Sequence, residues 1–334
     1  MSAIASKIGR PSIPAEFYRK SLWGTAGFIL YALSMFCIPG ALIYYVLNTV
    51  ESLAWQIALI APLTMIGGVG AYLLGWLGHD GTHLSLHSNK YVSALTGSFF
   101  ASMLVTYFEM GFAYEHWNHH RFTNTPLDPD IKVLAPLKRW WQRLLFTRIF
   151  YNFSYARTLT RVILGLPLPF KYKMPFSDKA LRWLCIANLA FSGFWISVYT
   201  VLALYDWRIA LFSILLPTFA GLLVSGSQSY IDHAGVPGDR WWENSRTRPS
   251  FLATALFFGG NYHLEHHLYP GVPAYRLGKV HRYLKEKGVF DEHPVLIEPS
   301  CFGIYRHLNK PYRATTLGDT NFDPHHESIR GSYA

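Results

Sequence analysis

The sequence predicts an all-α integral membrane protein, with four transmembrane helices under a cytosolic helical cap that carries a His-rich di-metal site. Three observations lead there. Of 334 residues, 51% are hydrophobic and only 15% charged, against about 25% charged in ordinary soluble domains, and the mean hydropathy is +0.14. Four stretches contain no Asp, Glu, Lys or Arg, and each exceeds the ~20 residues a helix needs to cross hydrocarbon. Finally, there are 15 histidines against 20 acidic residues, and they are not scattered. This composition excludes disordered and fibrous classes. Cys37, Cys185 and Cys301 are odd in number and far apart, which fits neither a disulfide framework nor a thiolate metal site.

Taken in order, residues 1–21 form an N-terminal arm with Lys7, Arg10, Arg19 and Lys20 and no apolar run, so no cleavable leader is expected there. The first two spans are placed at about 22–47 and 53–78, with Pro39 and Pro62 inside them. Membrane helices tolerate such prolines when neighbours satisfy the freed backbone groups. Residues 91–108 are also uncharged but short, and are read as a helix that dips into the bilayer and returns. Over 137–164, Trp140, Trp141, Leu144, Leu145, Ile149 and Phe153 recur at helical spacing among Arg139, Arg143, Arg148, Arg157 and Arg161. A basic helix with an aromatic stripe is expected to lie in the interface plane. The last two spans are placed at about 183–205 and 209–231. The membrane domain as a whole runs over 22–310, and 311–334 is read as a polar tail.

Basic residues set the expected orientation. The arm holds four Lys and Arg, the link 48–52 none, residues 90–182 thirteen, the link 206–208 one, and the chain after 231 twelve. By the positive-inside rule, both termini and the long central segment face the cytoplasm. The net charge of +10 therefore gathers on one face, where it suits anionic headgroups or an acidic soluble partner. Nucleic acid is excluded as a partner because no basic module separates from the spans.

Ten histidines fall into four groups: His79, His83 and His87 after the second span; His116, His119 and His120 after the dip; His233 after the fourth span; and His263, His266 and His267 beyond it. Residues three and four apart share one helix face, so H-x-x-x-H and H-x-x-H-H runs aim their imidazoles at one point. At this histidine frequency, H-x-x-H-H is expected about 0.03 times by chance; it occurs twice. Four crossings bring all four groups to the same face. A full crossing by 91–108 would separate the first group from the second, which is why the returning path is preferred. A closed zinc site uses four ligands, so nine or ten histidines imply two ions with open positions. Spacing alone leaves iron, zinc and copper open. Every group lies at or beyond a span end, unlike a metal transporter, which places polar ligands along a path through the membrane.

The runs HDGTH, HWNHH and HLEHH, with four spans and the flanks RFTNTPLDPD and HLYPGVPAYRLGKVHRYL, resemble the membrane-bound fatty acid desaturase superfamily, which also includes hydroxylases. The resemblance covers roughly residues 76–283. It implies two Fe ions, cycling between Fe2+ and Fe3+, with O2 as co-substrate and a lipid or fatty acyl substrate. The implied ligands are His79, His83, His116, His119, His120, His233, His263, His266 and His267, with His87 an additional ligand or outer-sphere residue. No catalytic residue separate from the metal ligands is implied. Desaturation of a fatty acyl chain is the activity expected. Hydroxylation of an acyl chain or carotenoid, and oxidative decarboxylation of a free fatty acid to a terminal alkene, use the same ligand motifs. No H-P-G-G haem-binding run occurs, so an external donor of ferredoxin or cytochrome b5 type is expected. Asp80 and Glu265 are placed to orient imidazoles. Asp128 and Asp130 are read as turn residues without function, Trp117 as packing or substrate contact. His281, His293, His307, His325 and His326 are assigned to surface or tail.

Overall fold

The protein is described by a computed structural model that covers residues 10–170, 172–237 and 240–314. It is almost entirely helical. Ser21 caps α1 (Leu22–Thr49) by accepting from the Gly24 amide, and a three-residue link leads to the antiparallel α2 (Leu53–Thr82). Pro39 and Pro62 lie inside these helices as expected. Asn89 caps α3 (Lys90–Ala101), which is followed by α4 (Glu109–Phe122). Asp128 and Pro129 start the short α5 (Pro129–Leu134), and α6 (Trp140–Ile163) follows. Ser177 caps α7 (Asp178–Tyr205). The chain returns through a π-helical stretch (Ile209–Leu215) into α8 (Leu216–Ile231). The remainder holds α9 (Phe251–Phe257), α10 (His263–Leu268), α11 (Ala274–Glu286) and α12 (Val289–Glu292). Among the described residues the only strands are Arg246–Thr247 and Leu296–Ile297, paired in parallel.

Four segments are long and apolar enough to cross a membrane: Leu22–Thr49, Leu53–Thr82, Asp178–Tyr205 and Ile209–Ile231. They match the four stretches read from the sequence. Their outward faces expose Trp23, Leu30, Trp55, Phe194, Leu204 and Phe219, an apolar girdle of the kind lipid covers, with aromatics toward the ends. The second helix runs one turn beyond the uncharged stretch, so His79 sits on continuous helix rather than in a loop. Close helix packing makes this possible. A Cβ on Gly81, inside HDGTH, would lie 2.7 Å from the Gly97 Cα of α3, so the glycine lets the two backbones touch.

The uncharged segment 91–108 does not continue straight. Helices Lys90–Leu104 and Glu109–Phe122 meet at a bend of 114°, a geometry shared by broken spans and returning segments. The elbow is strained at Val105, whose φ is +55°, a poor conformation for a β-branched residue. Buried Asn188 of α7 holds it: its side-chain oxygen accepts from the Met110 amide at 3.2 Å, and its Nδ2 donates to the Ser102 hydroxyl at 2.9 Å. Buried irregular backbone survives only where protein satisfies its polar groups, and Asn188 does so here from within an uncharged stretch of α7.

Helix α6 departs from the simple interfacial reading. Of the expected stripe, Trp140, Trp141, Leu145 and Phe153 are exposed and Leu144 and Ile149 half-buried, but Arg143 and Arg148 point inward. Arg143 donates to the carbonyls of Leu137, Leu308 and Lys310. The other face packs on α4 and α8. The chain at 311–314 also does not leave the domain as a tail: Tyr312 is buried and its hydroxyl reaches the centre described next. His325 and His326 lie outside the described residues.

Candidate metal centre

Three helices aim imidazoles at one volume. His79 and His83 sit on successive turns at the end of α2; His116 and His120 are likewise four apart on α4, with His119 between them; His263, His266 and His267 occupy the single turns of α10. The helix ends are locked together. The Asp80 carboxylate accepts from the Ala274 amide at 2.9 Å, joining α2 to α11, and Trp117 Nε1 donates to the Thr82 carbonyl at 3.0 Å, joining α4 to α2.

The imidazoles form two adjoining groups. His79, His83, His116, His120 and His266 have their ligand atoms all within 4.8 Å of one another, and so do His119, His233 and His267. In the first group the Nε2 atoms follow one another at 3.0 Å (His79 to His116), 2.9 Å (His116 to His120) and 3.0 Å (His120 to His266). Beside the second, His263 Nε2 lies 3.0 Å from His233 Nε2 and 3.1 Å from His267 Nε2. The His120 and His267 rings stack at 4.1 Å, so the groups share a wall.

Hydrogen bonding does not account for this convergence. A ring nitrogen carries either one proton or one lone pair, so His116 Nε2 satisfies only one of its two Nε2 neighbours. A cation satisfies all of them. At a metal–nitrogen length of about 2.1 Å, two ligands at right angles stand about 3.0 Å apart, which is the spacing seen. Burial also holds the rings ready to bind: it pushes His233, His263 and His267 well below the usual imidazole range, with neighbouring imidazoles adding to the effect. This favours the neutral state that a metal ligand requires.

The outer contacts fix the ring orientations. His119 Nδ1 lies 3.0 Å from Asp128 Oδ1 and 3.5 Å from Asp130, leaving Nε2 for a metal. Asp128 in turn accepts from the Asn124 and Asp130 amides and from the Tyr312 hydroxyl at 2.8 Å, while Tyr151 donates to Asp130 at 2.8 Å. His233 Nδ1 meets the Asn244 carbonyl at 2.9 Å. His79 Nδ1, 3.7 Å from Asp80, and His263 Nδ1, 3.9 Å from Asp232, face carboxylates but make no hydrogen bond to them.

Nine of the ten candidate ligands thus come together. His87 does not. The helix stops at His83, Leu84 turns with φ +58°, and His87 Nδ1 accepts the Asn89 amide at 2.9 Å instead. The i, i+4 phase from His83 ends with the helix, so the fourfold spacing carries no direction. Glu265 does not orient a clustered imidazole: it pairs with His281 Nδ1 at 2.6 Å and accepts from Thr247. His281 is accordingly buried rather than at the surface. His293 stacks on Trp242, and His307 is half-buried beside Glu298. Asp128, Asp130 and Tyr312 are the site residues that sequence reading missed. The signal for Asp128 was D-P-D placed nine residues after His119, a helix cap that also faces the ligand.

A cleft opens beside the imidazoles, lined by Trp76, Tyr107, Phe112, Arg148, Tyr155 and Gln228 together with His79, His116, His119, His233 and His263.

Residues 53–298 match the family model "Fatty acid desaturase". Among curated proteins, the chain is 22% identical over 282 residues to the Delta(5) fatty acid desaturase fat-4 of Caenorhabditis elegans, covering 75% of this chain and 62% of that protein. It is 23% identical over 273 residues to the Delta(6)-fatty-acid desaturase fat-3 of the same organism, covering 71% and 60%. The chain therefore spans about three-fifths of the length of these relatives. The matched region runs from the start of α2 to just past the second strand and takes in every clustered histidine. The chain belongs to the fatty acid desaturase family.

Proposed function

We propose that the protein is a membrane di-iron oxidoreductase that desaturates a fatty acyl chain using O2. The observation that supports this most is the pair of adjoining imidazole groups at the ends of apolar helices. In this reading His79, His83, His116, His120 and His266 hold one ion, and His119, His233, His263 and His267 the other. Iron bound there supplies reduction of O2 to an oxidant able to take hydrogen from an unactivated C–H bond. An all-imidazole set suits iron, copper and zinc alike. Iron is chosen because desaturation is a redox reaction, and zinc has no redox chemistry.

The chain's own residues supply placement and protection. Asp128 and the Asn244 carbonyl hold Nδ1 of His119 and His233, so that Nε2 of each turns inward. Trp76 stacks on His79 at 3.9 Å and Phe112 on His116 at 4.5 Å, which walls the cleft with rings and excludes water from the reacting carbon. The acyl chain enters from the bilayer between the helices. The metal centre and both termini face the cytoplasm, a placement supported by the thirteen basic residues of 90–182 against one in the two short links. That basic face suits an acidic external electron donor.

Two measurements test the reading together. Elemental analysis of purified protein is expected to give about two irons per chain, and mass spectrometry of lipids from an expressing host is expected to show a new double bond. A new hydroxyl group with no new double bond sinks desaturation. Absence of bound iron after anaerobic purification sinks the di-iron centre.

A further inference from the structure

The cleft beside the metal centre contains a buried cation that forms no ion pair. Arg148, on α6, is 7% exposed. Its guanidinium lies 3.8 Å over the Tyr107 ring and 5.6 Å from the Tyr155 ring. The Lys and Arg ion pairs of the described residues use Lys173, Arg208, Arg248 and Arg306 as cations, and Arg148 is not among them. Its Nε meets no hydrogen-bond acceptor. Glu109 lines the same cleft but makes no ion pair with Arg148: burial raises its carboxyl to about 8 against the pull of the guanidinium, and its Oε1 is also without a partner. Gln228 Oε1, at the same cleft, is unpartnered too.

A guanidinium keeps its charge in proteins, and a buried charge without an anion is costly. The two tyrosine faces offset part of that cost but supply no counter-charge. The position is also telling. Phe112 stacks on His116 and meets Tyr155 edge-on at 5.3 Å, so a run of ring contacts links the guanidinium to the imidazoles along the wall of one cleft.

We propose that Arg148 anchors the carboxylate of a free fatty acid, so that the carbons nearest the carboxylate lie against the histidine cluster. This deepens the reading above and rests on it for the oxidation step. A planar carboxylate matches the guanidinium fork in a bidentate pair, and one monoanion balances one cation. A thioester or ester carries no charge at that atom and leaves Arg148 unbalanced. The new functional group of the product then falls in the carboxyl-proximal part of the chain.

The experiment measures binding anaerobically to the iron-loaded full chain in nanodiscs, so that it needs no turnover. Hexadecanoate is expected to bind at least tenfold more tightly than methyl hexadecanoate or hexadecanoyl-CoA. Arg148→Gln is expected to weaken hexadecanoate by about 10- to 100-fold and leave the ester unchanged. Arg148→Lys should recover part of that loss, and iron content reports whether each variant is intact. Equal affinity of the wild-type chain for acid and ester overturns the proposal, whatever the variants do. Equal loss of acid and ester in Arg148→Gln overturns it as well, assigning Arg148 a packing role. Displacement of hexadecanoate by phosphatidate with the same dependence on Arg148 overturns it in favour of a phosphate anchor. Under turnover, a product altered only toward the methyl end overturns the placement. Arg148-dependent acid binding with no oxidised product from any substrate leaves the anchor standing and removes the proposed function instead.

Discussion

The two imidazole groups are built by different means. In the first, every member sits on or at the end of a helix: His79 and His83 on α2, His116 and His120 on α4, His266 on α10. Pairing at i, i+4 does most of the positioning. The second group draws His119 and His267 from those same helices but adds His233, just past the end of α8, and is steadied by partners distant in sequence. Asp128 turns His119, the Asn244 carbonyl turns His233, and Tyr312 braces Asp128 across 184 residues. One half is placed by local helical geometry and the other by tertiary contacts, so the two halves should fail differently.

The largest effect is expected from the shared wall. His120→Ala removes a member of the first group whose ring also stacks on His267 of the second. Iron content should fall below one per chain, and activity to background. Retention of two irons by this variant would falsify the ligand assignment. His233→Ala, by contrast, should spare the first group and leave about one iron per chain.

Next in size is Asp128→Asn. The substitution keeps the shape but removes the negative charge facing His119 Nδ1, and outer-sphere changes of this kind typically cost about 10- to 100-fold in metal affinity or activity. The loss should appear as easier chelation of one iron of the two. Simultaneous loss of both at the same chelator concentration counts against a division between helix-placed and contact-placed halves.

That division also explains what the sequence could reveal. The four spans and the three histidine runs were legible because hydropathy and i, i+3/i+4 spacing are local properties. His233 has no spacing partner, and its inclusion came from the family resemblance. Asp128 was discounted because Asp before Pro is ordinary turn chemistry, and its second duty depends on a contact that no local pattern encodes. Asn188 was hidden for the same reason: within an uncharged span it adds nothing to hydropathy, yet it holds the elbow between α3 and α4. Arg143 and Arg148 were read as part of a polar stripe, although burial splits the stripe in two.

A pH experiment sharpens the comparison for the metal-free chain. The pKa values of His233, His263 and His267 lie well below the usual imidazole range of about 6.5 because they are buried. Below pH 6.5 the unfolded chain takes up protons that the folded chain refuses, so stability falls as pH falls. The slope approaches about 1.4 kcal/mol per pH unit for each histidine. Thermal melting in detergent should therefore show a falling Tm between pH 7.5 and 5.5, which loaded metal suppresses. A Tm independent of pH over that interval would mean that these rings titrate normally.

Tyr312→Phe is a smaller perturbation. It deletes one hydrogen bond to a carboxylate that still accepts from two backbone amides and faces His119. With those contacts retained, a loss of about 3- to 10-fold in activity is expected, again with the second iron affected first. No change at all would mean that the Asp128 position is fixed by the backbone alone.

The smallest effect belongs to His87, and it tests the principle behind the first group most directly. Sequence spacing alone puts His87 four residues after His83, in the same relation that joins His79 to His83. The helix, however, ends at His83, and Leu84 adopts a left-handed conformation that redirects the chain. His87 then serves the turn into α3, accepting the amide of Asn89, whose own side chain caps that helix. Spacing positions a ligand only where a continuous helix carries it. His87→Ala should accordingly leave two irons bound and activity within about twofold, with a stability change of about 1 kcal/mol from the lost turn contact. Loss of iron in this variant would show that the chain refolds around the metal and carries His87 inward, and helical phase would then no longer explain which histidines bind.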